Sequence, residues 1–371
     1  MKCKVAILPE LNKPFVIEEC DLADLKPGQV RVKIMTCSIC HSDIHSVKGE
    51  HGTFEGSATA GHEIAGIVDA IGEGVTYVKP GDRVMACIVR AGCGTCMNCM
   101  SGRSWFCTNL PPNKFEQPSA YTRSNGEIPT QTGSTATGFA EYTNCDESCL
   151  CKLDDDIPYA VGSALACGFI SGFGAVINRC QVRPGESVAV FGTGGVGLSA
   201  IQGAKVSGAN PIIAIDLIDS KLELAKKLGA THTLNPKDCD VIEEAKKICS
   251  GFGPDYVIVA VAGSKIKRQA ISASAPWGTI CVIGHATADQ EMMGDVCAME
   301  FLSGRKLTGS VMGVVTLRRD MPKYMDMYRR GIVDIDSMLT RYYPFEQINE
   351  AFNDAEYGGA LKNIVVIGGT E

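Results

Sequence analysis

No run of Lys and Arg occurs anywhere along the 371 residues, and the formal net charge is −7. A nucleic-acid binder would carry a basic stripe, so that class is disfavoured. The start of the chain lacks the architecture of a signal peptide: Met1-Lys2-Cys3-Lys4 leads into a short apolar stretch that stops at Pro9. No window reaches the roughly 18 uninterrupted apolar residues of a membrane helix, and Gly breaks the best candidate, residues 164–176. Internal repeats and low-complexity tracts are also lacking. These absences predict a soluble, cytoplasmic chain with no nucleic-acid or membrane partner.

The length exceeds what one hydrophobic core usually supports, so two domains are expected. Hydrophobic residues at 45% and charged residues at 21% make an ordinary globular mixture. Cysteine is abundant, with 18 in the chain. Without a secretory signal, and at this length, a disulfide framework is not the expectation. Six of the cysteines fall into the metal-ligand patterns below. The remainder, such as Cys20, Cys180 and Cys281, have apolar neighbours and read as small hydrophobes in a reducing compartment.

The first part of the chain reads as short strands punctuated by Pro and Gly, at 2–8, 29–38, 64–71 and 83–86. That is the texture of a β-rich domain. From about residue 183 the pattern changes: strand 187–191, helix 196–207, strand 211–216, helix 220–228, then strands at 256–260 and 279–283. Alternating strands and helices imply a parallel sheet with crossover connections. After residue 309 the rhythm is lost, and a last strand covers 363–367.

Gly192-Thr193-Gly194-Gly195-Val196-Gly197 matches G-x-G-x-x-G between a strand and a helix, and Asp216 ends the next strand roughly twenty residues on. Gly192 permits a tight turn, Gly194 lets the backbone approach a pyrophosphate, and Gly197 allows close helix–strand packing. The helix N-terminus adds free N–H groups and a positive dipole end. Asp216 can accept from ribose hydroxyls and would repel a 2′-phosphate, which predicts NAD rather than NADP. Lys221, one helical turn further on, could bond a ribose hydroxyl or be solvated.

Cys93, Cys96 and Cys99 form C-x2-C-x2-C, followed by Cys107. Four thiolates in one short loop can close tetrahedrally on a structural zinc. The last spacing does not fit the usual ferredoxin run. A second group is scattered: Cys40-His41-Ser42-Asp43-Ile44-His45, then Gly61-His62-Glu63, then Cys167. Cys, His and Cys with a water in the fourth position would be an open catalytic zinc site. Taken singly, each of these residues reads better as packed, and their joint meaning comes from the resemblance below.

Over essentially its whole length the sequence resembles the zinc-dependent medium-chain alcohol dehydrogenases, in a long-loop variety similar to aryl and benzyl alcohol dehydrogenases. The resemblance rests on Gly61-His62-Glu63-Ile64-Ala65-Gly66 with Gly72 and Val75, on Pro80-Gly81-Asp82-Arg83-Val84, on the four-cysteine lobe, on Cys167-Gly168-Phe169 and on the glycine fingerprint, all in the family's order. It implies an α/β fold: a GroES-like catalytic domain (1–168 and 312–371) split by an inserted Rossmann domain (169–311), with the active site in the cleft. It also implies two zinc ions per chain. Cys40, His62 and Cys167 would ligate the catalytic zinc, with Asp43 holding the other nitrogen of His62 and Glu63 lying behind the metal.

The same resemblance implies reversible hydride transfer between a primary alcohol/aldehyde pair and NAD. Zinc would acidify the alcohol, Ser42 would accept its proton, and His45 would deliver that proton to solvent by way of a cofactor ribose hydroxyl. Val196 and Ser171 would press on the nicotinamide. Many relatives hold the pyrophosphate with Arg where this chain has His41 and Lys362, which cannot make the same bidentate fork. Ser42 and Val89 fall at two pocket positions, where small side chains leave room for bulky benzylic or allylic alcohols, and His51 could reach the outer pocket. The long span from Cys107 to Phe139 implies a homodimer, with a tetramer as the alternative. Two other functions stay open: a glutathione-dependent formaldehyde dehydrogenase-like enzyme, against which the presence of His45 counts, and a zinc-stabilised, non-catalytic redox sensor.

Overall fold

The computed structural model describes all residues except 51, 111–115, 134, 285–298, 358 and 371. Two compact units emerge, one of Met1–Cys167 with Thr316–Glu371, the other of Gly168–Val315.

The first unit is built on two largely antiparallel sheets. Strand Lys2–Leu8 pairs with Val16–Leu22 on one side and Ala58–Thr59 on the other. In the second sheet, strand Gln29–Ser38 lies between Glu63–Ile71 and the C-terminal strand Asn363–Val366, and it also pairs with Tyr142–Asp146. Strands far apart in the sequence, Gln29–Ser38 and Asn363–Val366, therefore meet in one sheet. Alternation explains the packing: Val30, Val32 and Ile34 all point into one core with Leu8, Phe139 and Val365. Phe15, Phe139 and Phe352 close that core as tilted and edge-on ring pairs with centroids 4.9–6.3 Å apart.

In the second unit the described strands form a six-stranded, all-parallel sheet. Numbered by their order in the unit, Val188–Phe191 is first and sits centrally, and the sheet order is 3-2-1-4-5-6. That is the doubly wound order whose crevice lies at the C-terminal end of the first strand. Its central strands Val188–Phe191, Ile212–Ile215 and Tyr256–Val259 are buried on both faces, which is why they read as unbroken apolar runs. The sequence reading missed three-residue strand His232–Leu234 and strand Lys306–Gly309, both at sheet edges.

One expectation is corrected. Residues Tyr159–Cys180 form a continuous helix of 22 residues whose most apolar 18-residue window has a mean hydropathy of 1.8, long and apolar enough by composition to cross a membrane. Its glycines do not interrupt it, because packing rather than propensity sustains it. Its most apolar window is 94% buried within the protein, as expected of a core helix.

Candidate functional site: two donor clusters and a glycine loop

Helix His41–Val47 follows strand Gln29–Ser38, and Asp43 ties its first turn by accepting the backbone N–H of Cys40 at Oδ2, 3.0 Å away. The other oxygen reaches a second segment. Asp43 Oδ1 accepts the N–H of Gly61 at 3.1 Å and stands 3.0 Å from His62 Nδ1. One buried carboxylate thus fixes a helix start, a loop and an imidazole ring. With its proton held at Nδ1, His62 offers Nε2 as the ligand nitrogen. Ser42 Oγ lies 3.2 Å from that Nε2.

One donor atom from each of Cys40, His62, Glu63 and Cys167 lies within 4.8 Å of the others. Cys167 arrives from far along the chain on the buried helix, in a π-helical turn, Leu165–Phe169. Such single turns occur often at functional sites because the extra residue re-aims a side chain.

The electrostatics suit a cation. A hydrogen bond from Cys167 holds the Cys40 thiol well below its ordinary value in spite of burial, with His62 adding to the effect, and Cys167 is pushed well up as its counterpart. Burial opposes the charge on His62, but Asp43 outweighs it and raises the imidazole well above its ordinary value. Burial pushes the Glu63 carboxyl up to about 7, with Lys362 pulling the other way. Two thiols, an imidazole and a carboxylate gathered out of water need positive charge to be stable as ligands, and Cys, His and Cys are zinc donors.

The structure gives Lys362 a partner that the sequence does not reveal. Its Nζ is ion-paired with the carboxylate of Glu63, in a site where both side chains are buried. Burial disfavours the ammonium, but Glu63, Cys40 and Cys167 outweigh it and hold Lys362 above its ordinary value. A compact ammonium fits behind a carboxylate where a broad guanidinium fork is not needed.

The four-cysteine lobe is assembled from one loop. Cys93 Sγ to Cys99 Sγ and Cys96 Sγ to Cys107 Sγ are both 4.0 Å, and all four donors lie within 4.8 Å of one another. Sulfurs about 2.3 Å from a tetrahedral zinc are about 3.8 Å apart, so little movement is needed to hold one. Cys93 Sγ accepts from the hydroxyl and N–H of Thr95 and the N–H of Cys96 at 3.3–3.4 Å, which draw its thiol down to about 7. The N–H groups of Cys99 and Thr108 draw Cys96 down to about 5, while burial pushes Cys99 up to about 12.

In the second unit, the chain leaves strand Val188–Phe191 at Gly192 with φ +87°, where a Cβ would sit 2.2 Å from Val261 Cγ1. A Cβ on Gly197 would strike the carbonyl oxygen of Gly192 at 1.8 Å, whereas one on Gly194 would meet nothing within 4 Å. Two glycines are therefore demanded by the fold, and the third leaves open space in front of the helix Gly195–Val206. Asp216 Oδ2 accepts from the N–H and hydroxyl of Thr193 at 2.7 and 2.9 Å, and Oδ1 from the N–H of Ile218 at 3.0 Å. Lys221 lies in the first turn of helix Asp219–Leu228. Val196 is half-buried, and Ser171 donates to Met312 Sδ at 3.6 Å.

Of the remaining expected residues, His41 is exposed at the start of its helix and Val89 is buried. His45 Nδ1 contacts the carboxylate of Glu50. His51 lies outside the described residues. The sequence reading missed Glu50 and the Thr193 link to Asp216. The only signals were a carboxylate five residues after His45 and a hydroxyl inside the glycine fingerprint.

The comparisons agree with this construction. The family profile "Alcohol dehydrogenase GroES-like domain" matches residues 26–155, and "Zinc-binding dehydrogenase" matches 195–330. Alcohol dehydrogenase 1 of Pisum sativum is 33% identical over 375 residues, covering 98% of this chain and 97% of that protein. An alcohol dehydrogenase zinc-binding domain protein from Burkholderia ambifaria superposes with a TM-score of 0.91 at 30% identity, over 99% of each chain. Benzyl alcohol dehydrogenase from Acinetobacter calcoaceticus superposes with a TM-score of 0.90 at 30% identity, again over 99% of each chain. The fold and the donor sets are those of a zinc-binding dehydrogenase with a GroES-like domain. The chain belongs to the zinc-binding alcohol dehydrogenases of the medium-chain dehydrogenase/reductase superfamily, oxidoreductases that act on alcohols.

Proposed function

We propose that the chain is a cytoplasmic, NAD-dependent dehydrogenase of bulky primary alcohols, benzylic or allylic, interconverting them with their aldehydes as a homodimer. The observation that carries this reading is the grouping of Cys40, His62 and Cys167 around a ring clamped by Asp43. These three residues would hold a catalytic zinc with Glu63 and Lys362 behind them, and Cys93, Cys96, Cys99 and Cys107 would hold a structural one. When bound, the catalytic zinc supplies Lewis acidity toward the alcohol oxygen, and NAD supplies the hydride acceptor.

The protein's own groups do the rest. Ser42 Oγ, 3.2 Å from His62 Nε2, stands where it can take the hydroxyl proton of an alcohol at that centre. His45, on the same short helix and half-exposed, is the outer end of the relay and returns the proton to solvent. The open space at Gly194 and the N-terminus of helix Gly195–Val206 would receive the pyrophosphate. Three acceptor positions of the Asp216 carboxylate are already taken, which leaves Oδ1 one further lone pair for a ribose hydroxyl and keeps a negative charge that disfavours a 2′-phosphate. Val196, Ser171, Lys221, His41 and Lys362 are assigned to the cofactor, and Val89 and His51 to the substrate pocket. The benzyl alcohol specificity named for the Acinetobacter relative supports the substrate class.

The test is a dialysed enzyme analysed for metal and assayed with NAD and with NADP on a panel of ethanol, hexanol, benzyl alcohol, cinnamyl alcohol and geraniol. About two zinc ions per chain and preferred use of NAD with the bulky alcohols are expected. Ethanol matching the bulky alcohols would overturn the substrate class, and preference for NADP would overturn the cofactor.

A further inference from the structure

His45 is not alone at its end of the helix. Glu50 lies beyond the helix C-cap, and its backbone N–H donates to the carbonyl of His45 at 2.8 Å, so the chain turns back on itself over the last turn. The same turn brings a Glu50 carboxylate oxygen onto His45 Nδ1. Both side chains are partly exposed, at 27% for His45 and 36% for Glu50, so the pair opens to solvent.

The ammonium two residues before Glu50 is engaged elsewhere. Lys48, the C-cap residue, is ion-paired with Glu356 and lies 5.8 Å over the ring of Tyr357. Glu50 is therefore left to the imidazole rather than drawn off by the closest ammonium of its own segment.

We propose that Glu50 is a positioning residue for His45, fixing the tautomer in which the relay works. The proposal rests on the reading of His45 as the outer end of that relay. An ionised carboxylate only accepts hydrogen bonds, so the nitrogen it meets must carry the proton. Neutral His45 is then the Nδ1–H tautomer, and Nε2 carries the lone pair that takes up a proton arriving from the Ser42 side. The resulting imidazolium loses the Nε2 proton to solvent water and returns to the same tautomer, so no atoms or electrons are left over. Without Glu50, an isolated imidazole exchanges between tautomers and turns about its χ angles, and a fraction of molecules presents N–H where a base is needed.

The experiment uses the zinc- and NAD-loaded enzyme labelled with ¹⁵N-histidine, with His45→Gln to assign the resonance. The wild type is expected to show His45 as Nδ1–H, and Glu50→Ala and Glu50→Gln a mixture containing Nε2–H. Glu50→Asp should restore part of the original pattern. In single-turnover oxidation of benzyl alcohol near pH 7, Glu50→Ala should be slower by about three- to thirtyfold, a fraction of what a general base contributes. KM for NAD should stay as it was, added imidazole should recover much of the rate, and Glu50→Ala should cost nothing further in a His45→Gln background.

An unchanged tautomer in Glu50→Ala, or a full oxidation rate there while His45→Gln is slow, would overturn the role of Glu50. A His45→Gln enzyme that oxidises alcohol at the full rate would instead overturn the relay reading itself.

Discussion

Asp216 Oδ2 accepts both the backbone N–H and the side-chain hydroxyl of Thr193, at 2.7 and 2.9 Å, and so locks the glycine loop to the end of the second strand of the parallel sheet. The residue proposed to read the cofactor's ribose also shapes the loop proposed to hold its phosphates. Asp216→Gly should therefore raise KM for NAD by about tenfold or more, since a bond to a charged acceptor contributes about 1.5–3 kcal/mol. It should also narrow the preference for NAD over NADP. Equal kcat/KM ratios for the two cofactors before and after substitution would show that Asp216 does not meet the ribose.

Asp43 makes a comparable double contact at the other site, to the Cys40 N–H and to His62. Asp43→Asn keeps the size but allows an N–H to face His62 Nδ1, which turns the proton to the wrong nitrogen. Metal affinity or activity should fall by about 10- to 100-fold. Metal analysis against a competing chelator, followed alongside activity, reads this out. Unaltered zinc retention would show that Asp43 does not orient the ligand.

Glu127 supplies a test of pH dependence away from the site. The Ser57 hydroxyl and N–H, then Arg123, hold its carboxyl down at about 2. A depressed folded pKa contributes stability that is full above the ordinary value of 4.5 and is lost as pH falls toward 2. Because the side chain is 33% exposed, solvent screening limits the contribution to about 1 kcal/mol. Glu127→Gln should lower Tm by a few degrees at pH 7 and by less at pH 4. An equal loss at both pH values would contradict the linkage.

Val89 is 1% exposed, so the added bulk of Val89→Phe must go into space that a substrate would otherwise fill or into the packed core. If Val89 borders the proposed pocket, the variant should fold with little change in Tm and lose far more kcat/KM on benzyl alcohol than on ethanol. If it packs only in the core, overpacking should cost about 1–3 kcal/mol with no change in the ratio of the two substrates.

Much of this was legible beforehand, for physical reasons. The strands at 2–8, 29–38 and 83–86 agree with the observed Lys2–Leu8, Gln29–Ser38 and Arg83–Ala86, because a half-buried strand imposes alternation and its ends need Pro or Gly. Cys93 through Cys107 could be grouped because their ligand set is local. Cys167 could be joined to Cys40 and His62 only through family resemblance, since nothing in a single sequence brings a helix residue to two loop residues more than a hundred positions away. The π-helical turn that carries Cys167 has no composition signal at all. The ion pair of Lys362 with Glu63 has no signal for a related reason: it is a long-range contact, whereas the family pattern points only to an anion of the cofactor. The short strands Glu116–Pro118, Tyr121–Thr122 and Thr130–Thr132 were hidden in an expected loop because two- and three-residue strands show no period.

Cys40, His62 and Cys167 are proposed as one metal site, separate from the four-cysteine lobe. Metal content and NADH formation measured together on Cys167→Ser test it most directly. The variant is expected to lose about one zinc per chain, keep the structural one, and lose nearly all alcohol-dependent NADH formation while remaining folded. A Cys167→Ser enzyme that retains its full zinc content and turns over at the parent's rate would contradict the assignment.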